Sequence, residues 1–278
     1  VSKISSVNHD SAGRRRVPER YTPINESRVK KLTAEEWKKF RSQTTASGEH
    51  NKRASKVLPL GVTSSFQHWD PYPLSIVSAK GAYFKDVDGR KLLDLSMGFG
   101  AMLVGHLNKH VVRAVKKAMR STGTLFVTPS VIATDAAERF QKRFDVDMLR
   151  FTNSGTESTM YAIRAARAAT GKKAIIKVEG GYHGGYDPLQ VSVKAPLDKI
   201  GPAKAPKPYY PPEVEAGEVF VVPYNDLDRL EEILKKDSKK IACFMVEPII
   251  ENLSIILPDE GYLKGVRALC DKYKVCLL

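Results

Sequence analysis

Asn153-Ser154-Gly155-Thr156-Glu157 stands between a short apolar run and a helical pattern, and its reading decides the fold. Residues 148–151 read as a short strand, and Met160, Ile163, Ala166 and Ala169 then recur at helical spacing. A strand, a Ser/Gly turn and a helix in that order leave unpaired N–H groups at the helix start. There the macrodipole favours an anion, and two hydroxyls add donors. Taken alone, Ser154-Gly155-Thr156 is also an ordinary helix N-cap. It is not a Walker loop, and the chain has no Gly-x-Gly-x-x-Gly in a strand–turn–helix context.

The alternation continues toward the C-terminus. Ala174–Val178, Val219–Val222, residues 241–246 and residues 275–278 are short apolar runs, the pattern of strands buried on both faces. Between them Asn225 is placed to cap a helix carrying Leu227, Leu230 and Leu234. Asp259-Glu260 is placed to start another with Leu263, Val266 and Cys270. Upstream, Val111, Val112, Val115, Ala118 and Met119 form a helical face over residues 110–120. This order predicts an α/β fold, with a mostly parallel sheet flanked by helices and ligands at the carboxyl ends of its strands. The Pro-rich stretch 196–212 is expected as a surface excursion.

Nearer the N-terminus the signals change. Ala82-Tyr83-Phe84-Lys85-Asp86-Val87-Asp88-Gly89-Arg90 reads as a strand, an Asp-Gly turn and a return strand. Thr33-Ala34-Glu35-Glu36 reads as a capping box that starts a helix through Trp37 and Phe40.

With 278 residues, 42% hydrophobic and 27% charged, the chain can bury one large or two modest cores, and global disorder is excluded. Its net charge of +14 draws on Arg14-Arg15-Arg16, Lys30-Lys31 and Lys38-Lys39 and on scattered pairs, and nothing in the sequence accounts for the excess. Nucleic acid is not the expected partner, because no recognition pattern interleaves aromatics with these charges. Salt-sensitive binding through Arg14 to Arg16 stays as an alternative.

Cys243, Cys270 and Cys276 are too widely spaced for a paired metal motif and lie in apolar segments, so reduced, buried thiols are expected. His106 and His110 stand four apart without an intervening Glu or a third ligand, and no metal is expected. No apolar run reaches membrane-spanning length. The expected location is cytoplasmic. A transit-sequence remnant in the Ser- and Arg-containing opening is the alternative, weakened by Asp10 and Glu19. The start at Val1 reads as a chain trimmed at both ends.

Two further motifs bear on the site. Tyr182-His183 follows the Ala174–Val178 run in a loop with Gly180, Gly181, Gly184 and Gly185, from which an aromatic ring can meet a flat heteroaromatic ring. Glu247 stands at a strand end before Pro248, where a carboxylate is costly unless solvated, paired or functional. Singly, these read as half-buried packing and a strand-end salt bridge. An anion cradle, an aromatic platform and a carboxylate at one sheet edge together outline a planar phosphorylated cofactor.

On these residues the chain resembles the class III aminotransferases, fold-type I pyridoxal-phosphate enzymes, and especially the branch that includes glutamate-1-semialdehyde aminomutase. The resemblance runs from about Leu58 to the end. It is carried by Phe84-Lys85-Asp86-Val87-Asp88-Gly89, Gly105-His106, Arg150 through Glu157, Glu179-Gly180-Gly181-Tyr182-His183-Gly184, Pro223-Tyr224-Asn225-Asp226 and Val246-Glu247-Pro248-Ile249-Ile250-Glu251-Asn252. It implies pyridoxal 5'-phosphate as cofactor, with Ser154, Gly155 and Thr156 on the phosphate and Tyr182 stacked on the ring. His183 belongs to the same cofactor set, with Glu247 and Asn252 near the ring's hydroxyl side. The Schiff-base lysine and the ring-nitrogen Asp are expected beyond Leu278, so this stretch by itself is expected to be inactive.

The resemblance further implies a homodimer acting on an amino acid and an oxo acid or aldehyde. It divides the chain into a basic extension with a helix (1–57), a segment with short strands (58–108) and a partial large cofactor-binding domain (109–278). Ser65 and Gln67 fall in a stretch, Gly61 to Gln67, that resembles the aminomutase's substrate-recognition segment. Gln67 replaces the arginine usual there, and Lys194-Ala195-Pro196 departs from a small Gly/Ser-rich loop. Both departures favour an aminotransferase for another amino acid, such as a β-amino acid, over the aminomutase. The reading from a different class is a non-catalytic binding module.

Overall fold

The computed structural model describes residues 24–125 and 127–278, so the Arg14–Arg16 cluster lies outside the described residues. Two compact units divide the chain, residues 1–129 and 130–278.

The first unit begins with α1 (Glu26–Gln43) and α2 (Thr45–Ala54). Asn25 is the N-cap of α1, its side chain accepting from the Arg28 N–H at 2.9 Å. The capping box expected at Thr33 therefore lies in mid-helix, because the chain already has a competent cap upstream. Helix α2 has almost no apolar residue and escapes the periodic reading. It is held at its start by the Asp88 carboxylate, which accepts from the Ala46 N–H (2.7 Å), the Ser47 N–H (3.1 Å) and the Ser47 hydroxyl (2.6 Å). Desolvation pushes the Asp88 pKa up, but these bonds outweigh it and leave the group below its ordinary value.

Strands β1 (Ile76–Lys80), β2 (Tyr83–Asp86) and β3 (Lys91–Leu93) form an antiparallel sheet in that order. The expected Asp-Gly hairpin is present between β2 and β3, with Gly89 at φ +86° and Asp86 accepting from the Arg90 backbone and guanidinium at 2.7 and 2.8 Å. Helix α3 (Lys109–Ser121) follows, capped by Asn108. His106 and His110 do not form a ligand pair: His106 Nε2 bonds Asp94 at 2.7 Å outside the helix. No cluster of metal-binding side chains occurs among the described residues, and no helix among them is long and apolar enough to cross a membrane.

The second unit opens with α4 (Val131–Phe144), which the periodic reading passes over. Residues 148–151 are not a strand. They pair with no other strand among the described residues, and Met148 is 88% exposed. An apolar run becomes a strand only where a ladder completes its backbone bonds.

Helix α5 (Gly155–Thr170) follows the turn as expected. Then come β4 (Ala174–Val178), the short α6 (Asp187–Gln190), β5 (Val219–Val222), α7 (Leu227–Asp237), β6 (Ile241–Met245), α8 (Tyr262–Tyr273) and β7 (Cys276–Leu277). The four strands are all parallel in the order β5-β4-β6-β7. Ile176, Val178 and Phe244 pack with Leu230 and Leu234 of α7 and Val266 and Cys270 of α8. On the other face Ile175, Cys243 and Met245 pack with Ile163 and Ala166 of α5 and Leu189 of α6. This is the two-faced cover that continuous apolar strands require.

Two helix starts differ from expectation. Asp226 caps α7, its carboxylate accepting from the Arg229 N–H at 2.8 Å. Asn225 instead lies at φ +65° and bridges to the 257–259 segment, accepting from the Asp259 N–H at 3.0 Å. Gly261, not an acidic residue, precedes α8. The Pro-rich excursion carries no strand or helix, yet it is tied down where Ser192 and Tyr209 exchange backbone and hydroxyl bonds at 2.8 and 3.0 Å.

Candidate functional site

The site is built where β4, β6 and α5 end or begin together. Ser154 is the N-cap of α5, and its Oγ accepts from the Glu157 N–H at 3.2 Å. The Glu157 carboxylate reaches back to the Asn153 N–H at 2.7 Å. These bonds fix the turn and leave the N–H groups of Gly155 and Thr156 as the unpaired first-turn donors of α5. The Ser154 hydroxyl keeps its own proton to donate. A Cβ on Gly155 would meet nothing within 4 Å, so the helix start opens onto free space.

The loop after β4 is stitched onto this helix start. Thr156 Oγ1 accepts from the Gly185 N–H at 3.0 Å, and Thr159 Oγ1 donates to the His183 carbonyl at 2.8 Å. At Gly184 (φ +100°) a Cβ would lie 2.8 Å from both Cα and Oγ1 of Thr156, so glycine is required on two counts. The loop after β6 closes the arrangement. The Asn252 carboxamide accepts from the Tyr182 N–H at 3.2 Å and donates to the Gly180 carbonyl at 2.9 Å. Asn252 therefore acts as a brace across the turn that presents Tyr182, whose side chain is half exposed.

His183 and Glu247 meet beneath that turn. Their Nδ1 and Oε1 atoms are 3.7 Å apart, too far for a hydrogen bond. Burial, helped by the Lys177 charge, lowers the His183 pKa to about 4, so the imidazole is neutral at pH 7 and makes no ion pair. Burial raises the Glu247 carboxyl, against the Glu251 N–H that Glu247 Oε2 accepts at 3.3 Å. His183 Nε2 and Glu247 Oε1 are both buried without a hydrogen-bond partner. Buried orphans of this kind mark a place where a further polar group belongs.

All seven residues expected around a cofactor (Ser154, Gly155, Thr156, Tyr182, His183, Glu247 and Asn252) thus lie on three connected segments of the second unit. Ser65 and Gln67 lie in the first unit, in a single turn of 3₁₀ helix where Gln67 Oε1 accepts from the Thr63 hydroxyl at 2.8 Å. The sequence reading missed Thr159, one turn along α5 from Thr156, although that spacing alone puts both hydroxyls on one face. It also passed over Lys177, whose signal was a charge inside the apolar run Ala174-Ile175-Ile176-Lys177-Val178. The residues present fit a phosphorylated, planar group: free donors at a helix start, an exposed aromatic face and orphaned polar atoms between them.

A relative from Methanothrix thermoacetophila, named glutamate-1-semialdehyde 2,1-aminomutase, is 36% identical over 228 residues, which are 82% of this chain and 52% of that protein. The chain therefore spans about half the length of the curated relatives it matches. An omega-transaminase from Sphaerobacter thermophilus superposes with a TM-score of 0.79 at 31% identity, covering 84% of this chain and 54% of the other. A transaminase solved with PLP bound gives a TM-score of 0.76 at 29% identity, over the same shares of the two chains. The fold is that of the fold-type I transferases. The aminotransferase class-III family pattern matches residues 65–278, which takes in the helix-start cradle, the Tyr182 turn and the Glu247 loop, and the chain belongs to that family.

Proposed function

We propose that this chain is the cofactor-binding part of a pyridoxal-phosphate-dependent aminotransferase. The observation that carries the proposal is the convergence of the Ser154 turn, the Tyr182 turn and the Glu247 loop at the carboxyl edge of β4 and β6. When bound, pyridoxal phosphate supplies an electron sink for proton loss at the carbon bearing a substrate's amino group.

The chain's own residues do the rest. The Gly155 and Thr156 N–H groups and the Ser154 hydroxyl hold a phosphate dianion against the positive end of α5. Tyr182, braced by Asn252, offers its flat face to an aromatic ring and sheds water from it. His183, kept neutral, and Glu247, with its raised pKa, present one orphaned atom each that hydrogen-bonds a polar substituent of that ring. The reaction is amino transfer between an amino acid and an oxo acid or aldehyde, by a homodimer. An aminotransferase for another amino acid, such as a β-amino acid, is favoured over the aminomutase because Gln67 stands where the aminomutase usually carries an arginine.

The test is borohydride reduction of the full-length protein loaded with pyridoxal phosphate, followed by peptide mass mapping. A reduced adduct on a lysine outside residues 1–278 is expected, and Tyr182→Ala should weaken cofactor binding about tenfold. Absence of any adduct overturns the reading in favour of a non-catalytic binding module. A second reading, the 2,1-aminomutase, is favoured by the name of the Methanothrix relative. Amino transfer from an added donor to an added acceptor supports the first. Isomerisation of glutamate-1-semialdehyde without either supports the second. Sedimentation of the full-length protein as a monomer would remove the homodimer.

A further inference from the structure

Lys177 has no exposed surface. It points into the layer of Ile175, Leu189, Val191, Cys243 and Met245, with Val221 and Met245 as its partners on the neighbouring strands. A buried ammonium in apolar company is costly, and an apolar side chain of similar volume is often as stable or more so. Packing alone therefore does not explain a lysine here. Burial lowers its pKa to about 8, while Glu179 works the other way.

Its contacts point to a task. Lys177 Nζ donates to the Val191 carbonyl at 2.7 Å. Val191 lies in a three-residue segment, 190–192, that runs behind the Tyr182 turn. Gln190 Nε2 donates to the Gly184 carbonyl at 2.6 Å, which ties the segment to the far end of the turn. Ser192 is held at φ +61°, a strained value for a residue with a side chain, by its paired bonds to Tyr209. Glu179 Oε2 is buried with no hydrogen-bond partner, and burial raises the Glu179 carboxyl above its ordinary value.

We propose that Lys177 is a positioning residue for the Tyr182–His183 turn, pinning the 190–192 segment behind it. The turn then leaves β4 in one conformation, with Tyr182 set outward and His183 inward. The consequence for cofactor binding rests on the proposed function; the pinning does not.

The test compares full-length wild type, Lys177→Met and Ser192→Ala. Three readouts are used: amide hydrogen exchange over residues 180–185, the affinity for pyridoxal phosphate, and the titration of His183 by NMR. Lys177→Met keeps the volume and is expected to fold. Exchange in 180–185 should rise about tenfold, as expected for one lost charge-assisted bond, and cofactor affinity should fall by a similar factor. The His183 titration point should move up toward 6.5, because one nearby positive charge is gone. That shift reports the lost charge; a mere packing role would leave exchange over 180–185 and cofactor affinity in place.

A folded Lys177→Met protein with unchanged exchange over 180–185 overturns the proposal. Should Lys177→Met fail to fold, Ser192→Ala decides: looser 180–185 amides support the backstop, and unchanged protection overturns it. If wild type binds no pyridoxal phosphate, the proposed function fails, while exchange over 180–185 still decides the pinning.

Discussion

Ile176 on β4 and Val111 on α3 are both β-branched apolar residues, yet Ile176 has no exposed surface and Val111 is 51% exposed. The contrast extends to their surroundings. Helices α7 and α8 bury Leu230, Leu234, Val266 and Cys270 against the parallel sheet. Helix α3 has an equally regular apolar face, with Val111, Val115 and Met119, and buries none of it. Periodicity thus announces a helix in both units, but only in the second does it also announce a core.

The largest effect that would test this contrast is in the core. Ile176→Ala should cost about 2–5 kcal/mol, whereas Val111→Ala should stay within about 0.5 kcal/mol of wild type. Urea unfolding of the full-length protein measures both, and a large loss at Val111 would break the comparison by showing that its face is covered. A smaller effect separates two turns. Gly184→Ala meets Thr156 as well as the left-handed backbone penalty and should cost about 2–3 kcal/mol. Gly89→Ala, with nothing within 4 Å of the new Cβ, pays only the backbone part, about 1 kcal/mol.

A further effect is in pH dependence, and it again sets a buried group against an exposed one. His183 titrates near 4 when folded and near 6.5 when unfolded, so the unfolded chain binds the extra proton between these values. Stability should fall as pH drops from 6.5 to 4 and be flat above, and His183→Gln should remove that slope. Glu231 on the surface is held near 2 by bonds from Lys272, Lys235 and Tyr273. Its contribution is present above 4.5 and is lost as pH falls toward 2, so Glu231→Gln should flatten only that lower window. Thermal melts from pH 7 to 2 separate the two, and a His183→Gln effect confined to below pH 4 would refute the assignment.

Legibility followed the same divide. Strands β4, β5, β6 and β7 were readable to within a residue, because a place inside the sheet leaves a run of apolar residues that only Lys177 breaks. Helix α2 was not, since what holds its start is Asp88, some forty residues further along the chain. The box at Thr33 and the cap at Asn225 misled for a shared reason: several residues can cap, and backbone geometry chooses among them. At the site, the Ser154 turn, Tyr182 and Glu247 could be read as chemistry from their motifs. Lys177, Gln190 and Ser192 could not, because their meaning depends on a segment that returns behind the turn only once the sheet has formed.

The three thiols carry a consequence of their own. Cys243 on β6 faces the α5 and α6 layer, and Cys270 on α8 packs between that helix and the opposite face of the sheet; both are fully buried, with pKa values pushed up to about 12 and about 11. Neither thiol reacts appreciably as a thiolate while the sheet is covered. An alkylating reagent therefore serves as a clock for each side separately. Mass mapping of which cysteine is labelled first would reveal which helical layer lifts away from the sheet before the other.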